Sequence, residues 1–291
     1  RHGLSAWWWS GSAAIGCLVL GLLVAPRMHR LASEHRFFTV GDFLEYRYGR
    51  AVRGVIASLL WVGTLAILAG QLIALAWVLS AVAGIPKPIG CLIGGGVMTT
   101  YFVAGGLLTS AWVNMVQLVV LLAGFAVALP MAVGAAGGWG HVVSAAQAVP
   151  DYTSFWHGGA SGWHYLAMLG PSFIVSPGLL QKVYGARNGR TVRIGVSANA
   201  VVLAVFAFVP PLMGMVARTL HPGLAGPATE QALPLLLSDS LPPLVGTIGL
   251  AALFSAEVST ADAILFMLST SLSQDLYRRF LRPSATDREV L

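Results

Sequence analysis

The stretch VIASLLWVGTLAILAGQLIALAWVLSAV, residues 55–82, runs for 28 residues without an acidic or basic side chain. A helix that crosses the hydrocarbon of a bilayer needs about 20 mostly apolar residues, so this run is read as a transmembrane span. The same criterion, applied outward, yields the rest of the fold. No charge lies between Arg1 and Arg27, which gives a span at 5–26. The interval from Lys87 to Asp151 has room for two, divided by Gly105-Gly106 into 88–102 and 111–133. Further spans are expected at 163–183, at 193–217 and from 243 to about 280. The last is longer than one crossing requires, so it must tilt or project into water. The expectation is an all-α integral membrane protein with about seven transmembrane helices, forming a single domain over 1–291.

Composition points the same way. Of 291 residues, 56% are hydrophobic and 10% charged, whereas a soluble domain carries about 25% charged residues. The mean hydropathy is +0.76. Too little polar surface exists to face water, so the lipid bilayer is the expected solvent. A net charge of +6 would suggest a nucleic-acid partner in a soluble protein, but the distribution of charge speaks against one. The segment after the first span holds Arg27, Arg30, Arg36, Arg47, Arg50 and Arg53. The 183–193 connection and its edge hold Lys182, Arg187, Arg190 and Arg193, and the C-terminal segment holds Arg278, Arg279, Arg282 and Arg288. Together these are 14 of the 17 basic residues, and seven alternating spans put all of them on one side. By the positive-inside rule that side is the cytoplasm. The inner membrane is the expected location, with residue 1 outside and residue 291 inside.

Several classes of chemistry are excluded. Cys17 and Cys91 lie in apolar runs, and the seven His are scattered without metal-ligand spacing, so neither a disulfide framework nor a zinc site is expected. The glycine-rich stretch 134–140 lacks the lysine of a phosphate cradle. No Ser/His/Asp or Cys/His order stands out, and neither an enzyme activity nor a cofactor is expected. The chain begins with Arg and no cleavable signal precedes it, which suggests a truncated or processed start.

Polar residues inside the spans are the candidates for function, because an ionisable group at the bilayer centre costs about 2.5–3.5 kcal/mol or more. Ser255-Ala-Glu-Val-Ser-Thr-Ala-Asp262 holds two acids, Glu257 and Asp262. Its Ser259 and Thr260 hydroxyls suit a small hard cation; alternatively they bond back to carbonyls one turn earlier. At 100° per residue, Ser255, Ser259 and Asp262 share a face while Glu257 points about 140° away from Asp262. Asn114 and Gln117 also share a face, lining a polar path or bonding between helices. Gly90 and Gly94 are read as packing residues. In the 163–183 span, Pro171 and Pro177 interrupt the hydrogen-bond ladder beside Ser172 and Ser176, and freed carbonyls there suit a cation or a solute. Gln71 and Asn199 are weaker candidates, read first as packing residues. Thr39-Val-Gly-Asp42 is suited to cap a short cytoplasmic helix, and Trp7-Trp8-Trp9 an outer aromatic belt.

Three of these blocks resemble the sodium/solute symporter family, which includes bacterial proline, pantothenate and galactose transporters. They are Thr39-Val-Gly-Asp-Phe-Leu-Glu-Tyr-Arg-Tyr-Gly49, the block from Tyr101 through Gly105-Gly106-Leu107 to Gln117, and the run from Leu250 through Ala256, Ser259, Thr260 and Asp262 to Asp275-Leu-Tyr277. The resemblance implies two inverted repeats of five helices, with this chain matching the second to eighth core helices. It implies sodium-coupled symport of a small organic solute by alternating access. It also implies a sodium site formed here by the Ala256 carbonyl and the Ser259 and Thr260 hydroxyls. Departures are visible. The first, ninth and tenth core helices have no counterpart. Asn114 stands where the family usually has Asp, and Glu257 where an apolar residue is expected, so Glu257 is a candidate to restore the charge. Leu169 and Ser172 replace an Asn and a gating Tyr of sugar-transporting members, which argues against a sugar. Alternatives are the symporter-like membrane sensor domain of a histidine kinase, and proton coupling through Glu257.

Overall fold

Each long apolar stretch forms helix, because in lipid the backbone N–H and C=O groups have only each other as partners. The computed structural model describes residues 2–157, 162–282 and 284, and the side chains of these except 81, 101 and 104–111. Among them there is no strand. The first apolar stretch is helical from Gly3 to His35. It comprises a short 3₁₀ turn, α1 (Trp7–Val19), a widened turn at Leu20–Val24 and α2 (Ala25–His35). Pro26 lacks the N–H that an unbroken α-ladder would need, and the widened turn before it absorbs that loss. Next come α3 (Val40–Tyr48), α4 (Arg50–Ala83), α5 (Lys87–Ala135) and the short α6 (Trp139–Gln147). The third quarter is α7 (Gly162–Ile174), α8 (Pro177–Tyr184), α9 (Gly189–Phe206) and α10 (Val209–Leu220). The chain then passes through α11 (Ala232–Asp239) to α12 (Pro243–Thr270), which continues as a widened helix over Ser271–Leu281.

Six of these helical stretches among the described residues are long and apolar enough to cross a membrane. The difference from the expected seven lies in α5. Gly105-Gly106 does not end a helix, and Lys87–Ala135 is one helical element of 49 residues. It is nevertheless not straight. Gly90 and Gly94 lie against Ala76 and Leu75 of α4, and Met98 shares a buried cluster with Leu75, Val258 and Ala261. Asn114 bonds Ser259 and Asp262, while Gly124 abuts Ala252. A straight helix would hold residues 98 and 114 about 24 Å apart, yet both lie against the same part of α12. The element therefore bends between residues 98 and 114, and both its arms reach the region of α12.

Small residues set the closest crossings, as is usual where lipid supplies no hydrophobic drive between helices. A Cβ on Gly124 would stand 2.6 Å from that of Ala252, and one on Gly16 would stand 2.3 Å from the Gly170 carbonyl oxygen. Gly90 and Gly94 pack as expected. Large apolar side chains such as Val62 (64% exposed) and Leu92 (76%) point outward, the arrangement that a lipid solvent favours. The tryptophan run divides its work. Trp9 is exposed, but Trp8 is buried and donates to the Phe155 carbonyl at 2.9 Å, and Trp7 donates to the Ala204 carbonyl at 3.1 Å. Only Trp9 fits the expected belt; its neighbours pin the 151–157 loop to α1.

Candidate functional site

The middle of α12 carries the polar cluster. Ser259 and Asp262 are three residues apart and so face the same way, toward Asn114 on the second arm of α5. Ser259 Oγ donates to Asn114 Oδ1 at 2.8 Å, and Asn114 Nδ2 donates to Asp262 Oδ2 at 3.1 Å. The primary amide serves both because it has an acceptor and donors on one group. Asp262 is fully buried. Lys182, near the end of α8, is close enough for the two charges to act on each other. Gln117, one turn along α5, has a buried Oε1 without a hydrogen-bond donor.

One residue further round α12 the surface opens. Thr260 is exposed, and its Oγ1 donates to the Ala256 carbonyl at 2.9 Å. Two oxygens one helical turn apart thus satisfy each other on an accessible face. Ser259, half-buried between this face and Asn114, spends its proton on the amide and keeps its lone pairs. Glu257 is half-buried on another face, and among the described residues it has neither a hydrogen bond nor an ion pair. The carboxylate that touches Asn114 is Asp262, and Glu257, the candidate to restore the charge there, lies on a different face of α12.

The other candidates are dispersed. Gln71 is half-buried in α4. Of the two prolines, Pro177 marks a break in the 163–183 span, where α7 passes to α8, while Pro171 lies inside α7. Ser172 is exposed and bonds back to the Met168 carbonyl at 2.7 Å, so its hydroxyl occupies a carbonyl instead of facing α12. Ser176 precedes α8, whose Gly178 lies against Met267 of α12, about two turns C-terminal to Ser259.

A second cluster, at the other end of α12, gathers residues that counting loop charges had left separate. Thr39 caps α3 with Asp42 in a reciprocal capping box. Its hydroxyl also donates to Asp275 Oδ1 at 2.5 Å. The buried Arg53 guanidinium reaches Asp275 at 2.7 Å, and Glu45 and Asp42 at 2.9 Å each. Arg279 also pairs with Glu45. A Cβ on Gly41 would stand 2.4 Å from Asp275 Oδ1, so only glycine lets α3 come this close. The block around Thr39 and the block ending at Asp275-Leu-Tyr277 are thus in direct contact. The signal available in the sequence was a basic residue, Arg53, at the very start of a span, where burial demands carboxylate partners.

The family model described as "Sodium:solute symporter family" matches residues 1–291. The chain belongs to that family. The human sodium/iodide cotransporter is 28% identical over 320 residues, covering 100% of this chain and 47% of its own. The sodium/pantothenate symporter of Escherichia coli is 29% identical, over 94% of this chain and 57% of its own. A solved structure of a Na+-coupled sialic acid symporter in a substrate-bound outward-open state superposes with a TM-score of 0.74 at 18% identity, covering 99% of this chain and 69% of that one. The chain spans about half the length of the curated relatives it matches. Within this family the chain is a multi-pass membrane protein, and its helices share the fold of the solved symporter. Its two polar clusters fall in the blocks by which the family resemblance was first seen.

Proposed function

We propose that the chain forms part of a sodium-coupled symporter that imports a small organic solute across the inner membrane by alternating access. The middle of α12 holds the coupling ion. Its ligands are the Ala256 carbonyl and the Thr260 and Ser259 hydroxyls, with further oxygens from other parts of the transporter. The observation that carries this reading is the pairing of Thr260 Oγ1 with the Ala256 carbonyl on an exposed face. A carbonyl and a hydroxyl that satisfy one another when the site is empty exchange that bond for a cation at little cost. Ser259 adds a third oxygen without giving up its bond to Asn114. Asp262, held by Asn114 at the back of the same turn, supplies the negative charge. The family resemblance places an Asp at position 114 as well, so with Asn114 here Asp262 is the acid left at this helix contact. Sodium and the solute are substrates in this reading, and no covalent chemistry is involved. The basic clusters at 27–53, 182–193 and 278–291 face the cytoplasm, part of the last lying outside the described residues.

The test is uptake into proteoliposomes by the full-length protein, driven by an imposed sodium gradient. Each lost ligand removes a bond to a charged group, worth about 1.5 kcal/mol or more. Ser259→Ala and Thr260→Ala should each raise the sodium concentration for half-maximal uptake by about tenfold. Unchanged sodium dependence in both variants would remove the site from α12.

A further inference from the structure

Between the start of α2 and the start of α9 lies a groove of about 510 Å³ with an unusual wall. Leu22, Leu23, Pro26 and Arg27 line it from the first helical stretch, and Gly189, Arg190 and Arg193 line it from α9. Local sequence sets this geometry. Asn188 Oδ1 accepts from the Thr191 N–H at 2.8 Å and so fixes the first turn of α9. Arg190 and Arg193, three residues apart, then share a face. Arg193 Nη2 reaches the Leu22 carbonyl at 3.4 Å, across the widened turn that precedes Pro26. That contact draws α9 toward α2 and brings Arg27 to the same groove. Leu22 and Leu23 are 41% and 58% exposed, at the depth where α1 is apolar all round.

The charge in this groove is uncompensated. Among the described residues, Arg27, Arg190 and Arg193 have no carboxylate partner, whereas Arg53 has three and Arg279 has one. Three guanidiniums above an apolar wall match an amphiphile with an anionic head and an acyl chain. Basic pockets between transmembrane helices bind lipid head groups on this principle, and guanidinium pairs with phosphate in a bidentate manner. We infer that the groove between α2 and α9 is a binding site for an anionic phospholipid, with the phosphate on Arg27, Arg190 and Arg193 and an acyl chain along Leu22 and Leu23. A lipid there ties the two helices together on the side away from α12.

The site rests on the proposed orientation only for the leaflet that supplies the lipid. Cysteine labelling at position 187 from either side tests the orientation separately. The site itself is tested by native mass spectrometry of the purified full-length protein, titrated with phosphatidylglycerol or phosphatidylcholine of equal chain length. Phosphatidylglycerol should be retained preferentially, and the preference should fall about fivefold for each of Arg27→Gln, Arg190→Gln and Arg193→Gln. Replacing all three by Lys should keep most of it, which separates charge from packing. Inorganic phosphate at millimolar concentration should not displace the lipid; full displacement would show a plain anion site and overturn the lipid assignment. Equal retention of both lipids, or an undiminished preference in the single Gln variants, would also overturn it.

Discussion

The middle of α12 and the widened helix that continues its C-terminal end each carry a buried aspartate, and they treat it in different ways. Asp275 is clamped by a guanidinium and a hydroxyl, inside a network that brings Asp42, Glu45 and Arg279 into the same contact. Asp262, 13 residues earlier, is met by the neutral amide of Asn114, which shares itself with a serine. The first arrangement sets three carboxylates against two guanidiniums and fixes α3, α4 and the end of α12 to one another. The second meets its charge with an amide that Ser259 shares and with the nearby charge of Lys182, beside a Thr260 hydroxyl bonded within its own helix. The ion pairs of Asp275 tie three helices into an anchor, and in the proposed function the oxygens beside Asp262 are where the cation goes.

That contrast is open to attack from the anchor first, where the largest effect is expected. Arg53→Gln takes the guanidinium from Asp275 and Asp42 and leaves Glu45 with Arg279 alone. Breaking a buried ion pair from one side costs about 3–5 kcal/mol, so the variant should lose most of its folded yield in detergent and melt at a markedly lower temperature. Stability equal to wild type would show that the network is ornamental and that the two ends of α12 do not differ. The smallest effect is expected at Glu257, which faces away from both clusters. Glu257→Gln should leave the sodium concentration for half-maximal uptake within about twofold of wild type, because the charge beside Asn114 is that of Asp262. A large loss of sodium activation in this variant would return Glu257 to the ion site. Loss of pH dependence alone would make it a proton carrier.

Much of this was legible in the sequence, for physical reasons. Charge-free runs marked the spans because ionised groups are expensive in hydrocarbon, and the pairing of Ser259 with Asp262 followed from helical periodicity. The interruption of the 163–183 span followed from Pro177, although Pro171 stays within helix. Three things were hidden. The passage of α5 through Gly105-Gly106 without leaving helix was one, since paired glycines permit a turn but do not compel it. The role of Arg53 was another, because its partners lie 222 residues away at Asp275 as well as nearby at Glu45, and sequence distance conceals such contacts. The third was which acid serves Asn114. Glu257 drew notice as the departure from the family pattern, yet the choice depended on how α5 lies against α12, and that contact is a property of the fold.

The central claim is that the charge of Asp262 supports a sodium site on the middle of α12. It is tested most directly by sodium binding to the purified full-length protein in the absence of solute, read as the rise in melting temperature with sodium at constant ionic strength. Wild type should be stabilised by sodium and not by choline, in proportion to site occupancy. Asp262→Asn should fold and abolish the sodium-specific rise, and adding Asn114→Asp to that variant should restore it by returning the charge to α5. A sodium-specific rise that survives in Asp262→Asn at unchanged midpoint would contradict the account.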